Sequence, residues 1–306
     1  MSMRRYEWKT HDGKTLSVAE WKGEGELVGM VQISHGMVEH TGRYDAFASA
    51  LAEQGFLVFA DDHRGHGRTD ESTLGYAPGD MFEDTLKDLA ELSKKYKAEY
   101  PQLPLVLFGH SYGSFLTQGY IERYSAYLAG VVIGGSCCMK GNPSVGFGRM
   151  MAGIGCACKG ERAPAKLIAK ATFGAYEKKL GGSFISSDPA EVERYRSDPY
   201  CSFICSNHFY RCFFRGLKKI YRKKELEGID RSLPIFLIAG NCDPVGQMGK
   251  GVKRLEAMYK KLGCKSVECL IMDGIRHEYL NDREAAAARE AIFGFIGRTA
   301  ANAKKE

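Results

Sequence analysis

Six short runs of β-branched and other apolar residues recur along this chain, and they constrain its fold more than any other feature. Each run is nearly continuous in apolar character, which is typical of a strand buried on both faces of a sheet. The runs cover residues 27–35, 56–63, 103–111, 129–136, 233–241 and 266–274. Because helical patterns lie between them, we predict a mostly parallel central sheet flanked by helices, the α/β class.

Two more segments complete the predicted core. Asp80, with Glu83 three residues later, resembles the capping box that begins a helix. Apolar residues then recur at helical spacing: Phe82, Leu86, Leu89 and Tyr96. Residues 15–22 alternate in polarity, which indicates an antiparallel strand at the edge of the sheet.

Residues 137–228 interrupt the alternation of strands and helices. This segment has no buried-strand pattern, and it carries 17 Lys and Arg against 8 Asp and Glu, in a chain whose net charge is +6. We therefore predict an α/β core formed by residues 1–136 and 229–306. The intervening segment is predicted to be a helical cap, or lid, inserted into that core.

The run at 103–111 ends in Gly109-His110-Ser111-Tyr112-Gly113, and a helical pattern follows. A G-x-S-x-G sequence between a strand and a helix is typical of a sharp turn that exposes a serine above the sheet. The N–H of Tyr112 and the helix N-terminus then face any oxyanion that forms there. Ser111 is therefore the predicted nucleophile.

A serine hydroxyl needs a base and an acid that orients the base, and this motif predicts the chain order Ser, acid, His. Asp243 and His277 each follow a predicted strand, so the carboxyl ends of parallel strands bring them to the same edge of the sheet as Ser111. Asp273 also follows a strand, but it lies only four residues before His277. Asp243 is therefore preferred as the acid.

Three of the six histidines that precede the nucleophile bear on the site. His63 and His66 share a Gly-rich turn, where a structural role is expected. His35 ends the first buried run, and the N–H of Met37 is predicted to be the second oxyanion donor beside that of Tyr112.

Four segments, in this order, resemble the α/β-hydrolase superfamily and, within it, the monoacylglycerol lipase, lysophospholipase and serine-aminopeptidase-like group: HGMVEHTGRYDAFASALAEQGFLVFADDHRGHGRTD, GHSYGS, GNCDPVG and RHEYLND. The resemblance extends over residues 27–136 and 233–296, with a cap between them. It implies the α/β-hydrolase fold and a catalytic triad of Ser111, Asp243 and His277. It also implies oxyanion-hole amides at Met37 and Tyr112. Ser114 departs from the group's pattern, since many relatives have glycine there.

These features predict a serine hydrolase that cleaves carboxylic esters through an acyl-enzyme, of the monoacylglycerol lipase or lysophospholipase type. The expected partner is a small-molecule acyl ester or lipid, and the residues predicted to contact it are His35, Cys205, Phe209 and Phe213. Two alternatives remain open. One is a peptidase of the aminopeptidase-like group, with Glu39, Glu161 or Glu177 binding a substrate amine. The other is a receptor that keeps the fold without turnover.

No metal or organic cofactor is predicted. Asp198 followed by Pro199 predicts a helix over about residues 200–224. Three thiols and an imidazole recur along it at the spacing of one helix face: Cys201, Cys205, His208 and Cys212. Because structural zinc sites usually draw ligands from separate turns, we expect these side chains to pack on the core or line an acyl pocket.

Five basic residues end the same predicted helix: Lys218, Lys219, Arg222, Lys223 and Lys224. A solvated helix end is preferred for them, and the alternative is transient contact with an anionic membrane surface. Nucleic-acid binding is not expected, because no recognised module accompanies the charge. With no export signal, no membrane-spanning run and ten cysteines interpreted as reduced thiols, a cytoplasmic location is expected.

Overall fold

A computed structural model describes residues 2–304. Its centre is a sheet with the strand order β1-β2-β4-β3-β5-β6-β7-β8. The strands are Ser2–Lys9 (β1), Thr15–Lys22 (β2), Gly29–Ser34 (β3), Phe56–Asp61 (β4), Leu105–His110 (β5), Gly130–Gly134 (β6), Ile235–Gly240 (β7) and Val267–Met272 (β8). From β4 to β8 across the sheet the strands pair in parallel, whereas β2 is antiparallel to both neighbours. The predicted α/β class is confirmed.

All six apolar runs form strands, each slightly shorter than predicted.

The prediction that residues 15–22 form the edge strand is wrong, because β1 pairs outside β2 with Met3 opposite Trp21. The sequence of β1 hides this strand, since two consecutive arginines interrupt any apolar pattern. One of them, Arg4, instead donates a 2.7 Å hydrogen bond to Glu20 on β2.

Helices of the core cover both faces of the sheet. They are Asp45–Glu53 (α1), Met81–Glu99 (α2), Tyr112–Ile121 (α3), Lys250–Lys261 (α10) and Ala285–Ala303 (α11). Successive residues of a strand point to opposite faces, and on β5 Leu107 joins the core under α2 and α3 while Phe108 joins the core under α1 and α11. The continuous apolar runs follow from this burial on both sides.

The chain between β6 and β7 is helical. Its helices are Pro143–Lys159 (α4), Lys166–Ala169 (α5), Ala175–Leu180 (α6), Pro189–Ser197 (α7), Asn207–Lys219 (α8) and Lys223–Glu227 (α9), with a π-helical turn at Lys170–Gly174 between α5 and α6. Apolar side chains of α8, among them Phe213 and Leu217, belong to the same buried cluster as α2 and α3. Helix α8 therefore packs directly on the core.

The helix predicted over residues 200–224 is wrong at both ends, because α8 covers only Asn207–Lys219 and α9 begins at Lys223. Asp198 caps only a local turn, because its carboxylate accepts the N–H of Tyr200 at 2.8 Å. Ser202 then takes a left-handed φ of +61°, and α8 begins only where Ser206 accepts the N–H of Phe209 at 3.1 Å. The predicted stripe of thiols on one helix face is therefore divided between a loop and a helix.

The start of α2 partly follows the predicted capping box. Asp80 accepts the N–H of Glu83 at 3.4 Å, as expected for the N-cap. In a capping box, Glu83 would accept the backbone N–H of the N-cap residue. Here Asp84 does so instead, and it accepts the N–H of Asp80 at 2.8 Å. Glu83 instead forms salt bridges with Arg123 and Lys219, both at 2.8 Å, so it links α2 to the end of α8.

Within residues 2–304, no helix combines the length and the apolar character that crossing a bilayer requires.

The glycines around Ser111 should be intolerant of any side chain. A Cβ at Gly113 would lie 2.0 Å from the carbonyl oxygen of Ser34, and overpacking against backbone typically costs about 1–3 kcal/mol or more. We expect Gly113→Ala to lower the free energy of unfolding by about 3 kcal/mol, measured by urea denaturation. Gly297→Ala in α11 is the control, because its Cβ meets nothing within 4 Å and alanine favours helix. Equal stability of the two variants would contradict this account.

Candidate active site

Ser111 lies at the junction between β5 and α3, in a strained backbone conformation with φ +52° and ψ −117°. Left-handed conformations are costly for residues with a side chain, and they occur mostly where function requires them. The turn is so tight that a Cβ at Gly109 would lie 2.1 Å from Thr117 Oγ1. Both flanking glycines of the motif are therefore required by space, and the serine is held above the end of the sheet.

The structure brings His277 and Asp243 to this serine. His277 Nε2 lies 2.8 Å from Ser111 Oγ, and His277 Nδ1 lies 3.0 Å from Asp243 Oδ1. The Nδ1–H is not well aligned with the carboxylate, as is common before a substrate tightens the site. Asp243 is fully buried, and its Oδ1 also accepts the N–H of Val245 at 2.8 Å. The three side chains therefore form a connected row that ends at the serine oxygen.

The carboxylate of Asp243 sets the protonation of His277. Burial by itself lowers the pKa of this imidazole, but the carboxylate of Asp243, together with the charges of Glu278 and Glu39, outweighs burial and holds the pKa above its usual value. Asp273, the other acid considered, is turned away: its carboxylate accepts the Asn241 amide at 2.5 Å. Its exposed position keeps it out of the buried row.

The loop after β3 passes close to the nucleophile. A Cβ at Gly36 would lie 3.1 Å from the Cβ of Ser111, so the backbone approaches at a distance that glycine permits. The N–H of Gly36 donates to Glu39, and Val38 takes a left-handed φ of +62°. Met37 lies between these fixed points and borders the same cavity as Ser111. Met37 therefore lies near the serine, and the role of its amide as an oxyanion donor stays a prediction.

Tyr112 is the first residue of α3, and N–H groups in the first turn of a helix have no acceptor within it. Its hydroxyl donates to the carbonyl of Met81 at 3.3 Å, which fixes the side chain below the cavity. Ser114, which replaces the glycine of many relatives, donates to the carbonyl of Ser111 at 2.5 Å. The departure from the family pattern thus adds a hydrogen bond to the serine turn.

A buried cluster of charges lies beside this loop. Arg43 contacts three carboxylates: it donates to Glu278 and to Glu191, and it lies 3.7 Å from Glu39. Burial raises the pKa of Glu39 to about 7, with Glu278 adding to the rise and Arg43 opposing it. Because Glu191 belongs to α7 and Glu278 follows His277, Arg43 ties together three segments that surround the serine.

The serine opens into a cavity of about 630 Å³, within the usual range for small-molecule sites. Its wall is mostly apolar and comes largely from the segment between β6 and β7; examples are Phe147, Met151, Leu167, Ile168, Phe213 and Phe214. At the serine end it is bordered by Ser111, His277 and Gln247. The site therefore combines reactive polar groups at the serine with a mostly apolar space.

Of the four side chains predicted to contact substrate, Phe213 borders the cavity. Cys205 and Phe209 are packed behind its wall, fully or almost fully buried. Cys205 lies in the loop before α8, and the ring of Phe209 packs on the ring of Tyr112 with centroids 5.1 Å apart. His35 is buried beneath the loop that follows β3.

Sequence reasoning missed the segment that covers His277. The N–H of His277 donates to the carbonyl of Phe184 at 3.1 Å, and the N–H of Glu278 donates to Ile185 at 2.8 Å. The Phe184 ring lies 5.7 Å from the imidazole. The stretch GGSFISSD shows only the composition of a loop, so no local signal could have placed it here.

The residues considered as zinc ligands do not form one cluster of four: Cys201, Cys205, His208 and Cys212. Cys212 Sγ lies 3.6 Å from His208 Nε2, whereas Cys201 lies with His40 and Asp198 in a separate group. That group and a second one at His11, Asp12 and Asp88 are the described clusters whose atoms are close enough to share an ion. His40 and Asp198 already pair with each other at 3.0 Å.

The sheet order and the strained serine between β5 and α3 define an α/β-hydrolase. Residues 25–284 match the family model described as "Serine aminopeptidase, S33". The chain therefore belongs to this family, and the resemblance found in the sequence is confirmed.

Named relatives and solved structures agree with this assignment. The chain is 27% identical to the monoglyceride lipase of Rattus norvegicus over 76% of this chain and 71% of the relative. It is 22% identical to the monoacylglycerol lipase of Mycolicibacterium smegmatis over 90% of both chains. A thermostable carboxyl esterase from Bacillus coagulans, solved in complex with glycerol, superposes with a TM-score of 0.87 at 28% identity, over 98% of this chain and 99% of that one.

The pKa of His277 yields a test of the site. Neutral His277 must accept the proton of Ser111, so protonation stops the reaction and the rate of inactivation by a fluorophosphonate should fall as pH drops through a midpoint above about 6.5. Asp243→Asn removes the group that raises this pKa most, so the midpoint should move to lower pH and the rate at pH 8 should fall by at least about 100-fold. The exposed control Asp273→Asn should leave both unchanged. An unchanged midpoint in Asp243→Asn would contradict the assignment.

Proposed function

We propose that this protein is a serine hydrolase that cleaves carboxylic esters of glycerol, with monoacylglycerols as its substrate class. The observation that carries the proposal is the row of Asp243, His277 and Ser111, which opens into a mostly apolar cavity of about 630 Å³. Relatives named monoglyceride lipase or monoacylglycerol lipase support the same substrate class. A lysophospholipid shares the single acyl chain and differs in its headgroup, which the assay below separates.

In the proposed mechanism, Ser111 Oγ attacks the ester carbonyl while His277 Nε2 takes its proton. Asp243 holds the imidazole in the correct tautomer and stabilises the cation that forms. The amides of Met37 and Tyr112 donate to the tetrahedral oxyanion. Each such donor lowers the activation free energy by about 3 kcal/mol. The C–O bond of the alcohol then breaks as His277 returns the proton to the leaving oxygen. Water, activated by the same imidazole, hydrolyses the acyl-enzyme.

We further propose that residues 137–228 act as a cap, or lid, that forms the acyl site. Their side chains supply much of the apolar cavity wall, and the backbone contact of Phe184 with His277 attaches the segment to the base. An acyl chain would lie along Met151, Ile168 and Phe214, since burying apolar surface is the main source of affinity for such a chain.

The peptidase alternative has weaker support. Of the acids considered for a substrate amine, Glu161 forms a salt bridge with Arg211 away from the cavity wall. Glu39 also borders the cavity, but it is buried, and the N–H of Gly36 and the Tyr44 hydroxyl already donate to it. Glu177 borders the cavity and keeps the question testable.

A matched substrate panel tests the proposed function. We expect initial rates to be highest for a monoacylglycerol, lower for a lysophosphatidylcholine of the same chain length, and lowest for an aminoacyl arylamide. Ser111→Ala should lower every rate by at least about 10³-fold, because the nucleophile is lost. Faster cleavage of the arylamide would favour the peptidase, and no hydrolysis of any ester by a folded protein would favour the receptor.

We propose that the cap also contacts membrane surfaces through its apolar side. Exposed apolar side chains lie on one face of α4 and on α5: Phe147 (62% exposed), Met150 (53%), Ile154 (49%) and Leu167 (65%). Phe147 and Leu167 also border the cavity, so a membrane bound here would lie against the entrance. The basic residues within 218–224, at the end of α8 and the start of α9, are the other candidate membrane surface; of these, Lys219 is paired with Glu83.

Vesicle sedimentation distinguishes these two surfaces. The double variant Phe147→Ser/Leu167→Ser should bind phosphatidylcholine vesicles containing anionic lipid at least about fivefold more weakly, because each lost apolar side chain removes roughly 1.5–3 kcal/mol of burial when fully inserted. The control Lys218→Ala/Lys224→Ala should change binding less than twofold. The opposite ranking would assign the contact to the basic residues at the end of α8 and the start of α9.

We also propose a reducing compartment such as the cytoplasm. All ten cysteines are free thiols, half of them buried, and reduced thiols are typical of proteins that are not exposed to an oxidising environment.

A further inference from the structure

His35 has a single tautomer imposed by its neighbours. Its Nδ1 lies 2.8 Å from the carbonyl oxygen of Gly36, and because a carbonyl can only accept, Nδ1 carries the proton. Its Nε2 accepts the backbone N–H of His63 at 2.9 Å. The ring is fully buried, and burial holds its pKa well below the usual value. His35 is therefore a neutral ring with one donor, and that donor points at Gly36.

The bond to Gly36 fixes the direction of the Met37 amide. The carbonyl of Gly36 and the N–H of Met37 belong to one planar trans peptide and point in opposite directions. The peptide cannot rotate to turn this N–H without breaking the bond from His35. On the other side of Gly36, its N–H is held by Glu39, so both peptide groups around this glycine are fixed.

His35 is itself held by a buried row behind it. His63 stacks on its ring with centroids 3.9 Å apart. Asp61 Oδ2 lies 2.8 Å from His63 Nδ1, and Ser34 Oγ lies 3.0 Å from His63 Nε2. These are the residue types of a catalytic triad, but all three side chains are completely buried and cannot meet a substrate. Their effect is to keep the rings of His63 and His35 from turning.

We propose that His35 is a positioning residue for the oxyanion hole, and that its Nδ1–H orients the Met37 amide through the carbonyl of Gly36. This inference rests on the proposed ester hydrolysis at Ser111. It replaces the expectation that His35 contacts the substrate directly. Loss of the donor leaves the nucleophile and base in place but lets one oxyanion donor turn away, so the transition state loses stabilisation while the ground state keeps its contacts.

Two amide variants separate positioning from packing. The amide nitrogen of asparagine can occupy the place of Nδ1 and donate to Gly36. The longer glutamine places its amide near Nε2, where it accepts from His63 but leaves the carbonyl of Gly36 without its donor. For hydrolysis of p-nitrophenyl butyrate we expect His35→Gln to lower kcat about 100-fold or more, with KM changed less than threefold. His35→Asn should retain kcat within about tenfold of the wild-type protein.

Thermal unfolding of both variants and the rate of inactivation by a fluorophosphonate complete the test. The inactivation rate should follow kcat, because it also passes through a charged oxygen in the oxyanion hole. Equal kcat in the two variants, after correction for the folded fraction, would overturn the proposal. So would a rise in KM at constant kcat, which indicates substrate contact. Failure of the wild-type protein to react at all would reject the proposed function itself. Equal kcat in the two variants of an active wild-type protein would reject only the role of His35.

Discussion

The left-handed backbone at Ser111 is the constraint on which the rest of the site depends. Such a conformation costs roughly 1–3 kcal/mol and persists only where the surrounding structure determines it. Here the turn is pressed against the end of β3, with no room for a Cβ at Gly109 or Gly113. The close packing of Gly113 against Ser34 fixes the serine turn. It also brings the end of β3, and the loop that follows, next to the nucleophile.

Two groups of buried polar side chains hold the loop after β3 in place. Beneath it, His35 and His63 form a buried stack held by Asp61; beside it, Arg43 lies among three carboxylates from different segments. Charges and polar groups buried in this way are costly unless each is paired. Their concentration at the carboxyl edge of the sheet indicates that this edge is organised for rigidity around one small volume, the space above Ser111.

Local sequence was sufficient for the core and for the residues that meet at the serine. Buried parallel strands have continuous apolar patterns, and the loops after them converge, so Ser111, Asp243 and His277 could be placed together without coordinates. The segment between β6 and β7 was harder, because its shape depends on distant contacts. Ser206 rather than Asp198 caps α8, and Phe184 reaches His277 from a stretch with no pattern. The cluster around Arg43 was invisible for the same reason, since Glu191 lies 148 residues away in the chain.

The proposed ester hydrolysis requires Ser111 to carry the acyl group during turnover. Rapid acid quenching of the enzyme with a p-nitrophenyl ester, followed by mass spectrometry of the intact chain and of its proteolytic peptides, detects this intermediate. We expect one added acyl mass, located on Ser111, that appears before the steady state and decays as water hydrolyses it. Full turnover with no acyl mass on that peptide, or an acyl group on a different residue, would contradict it.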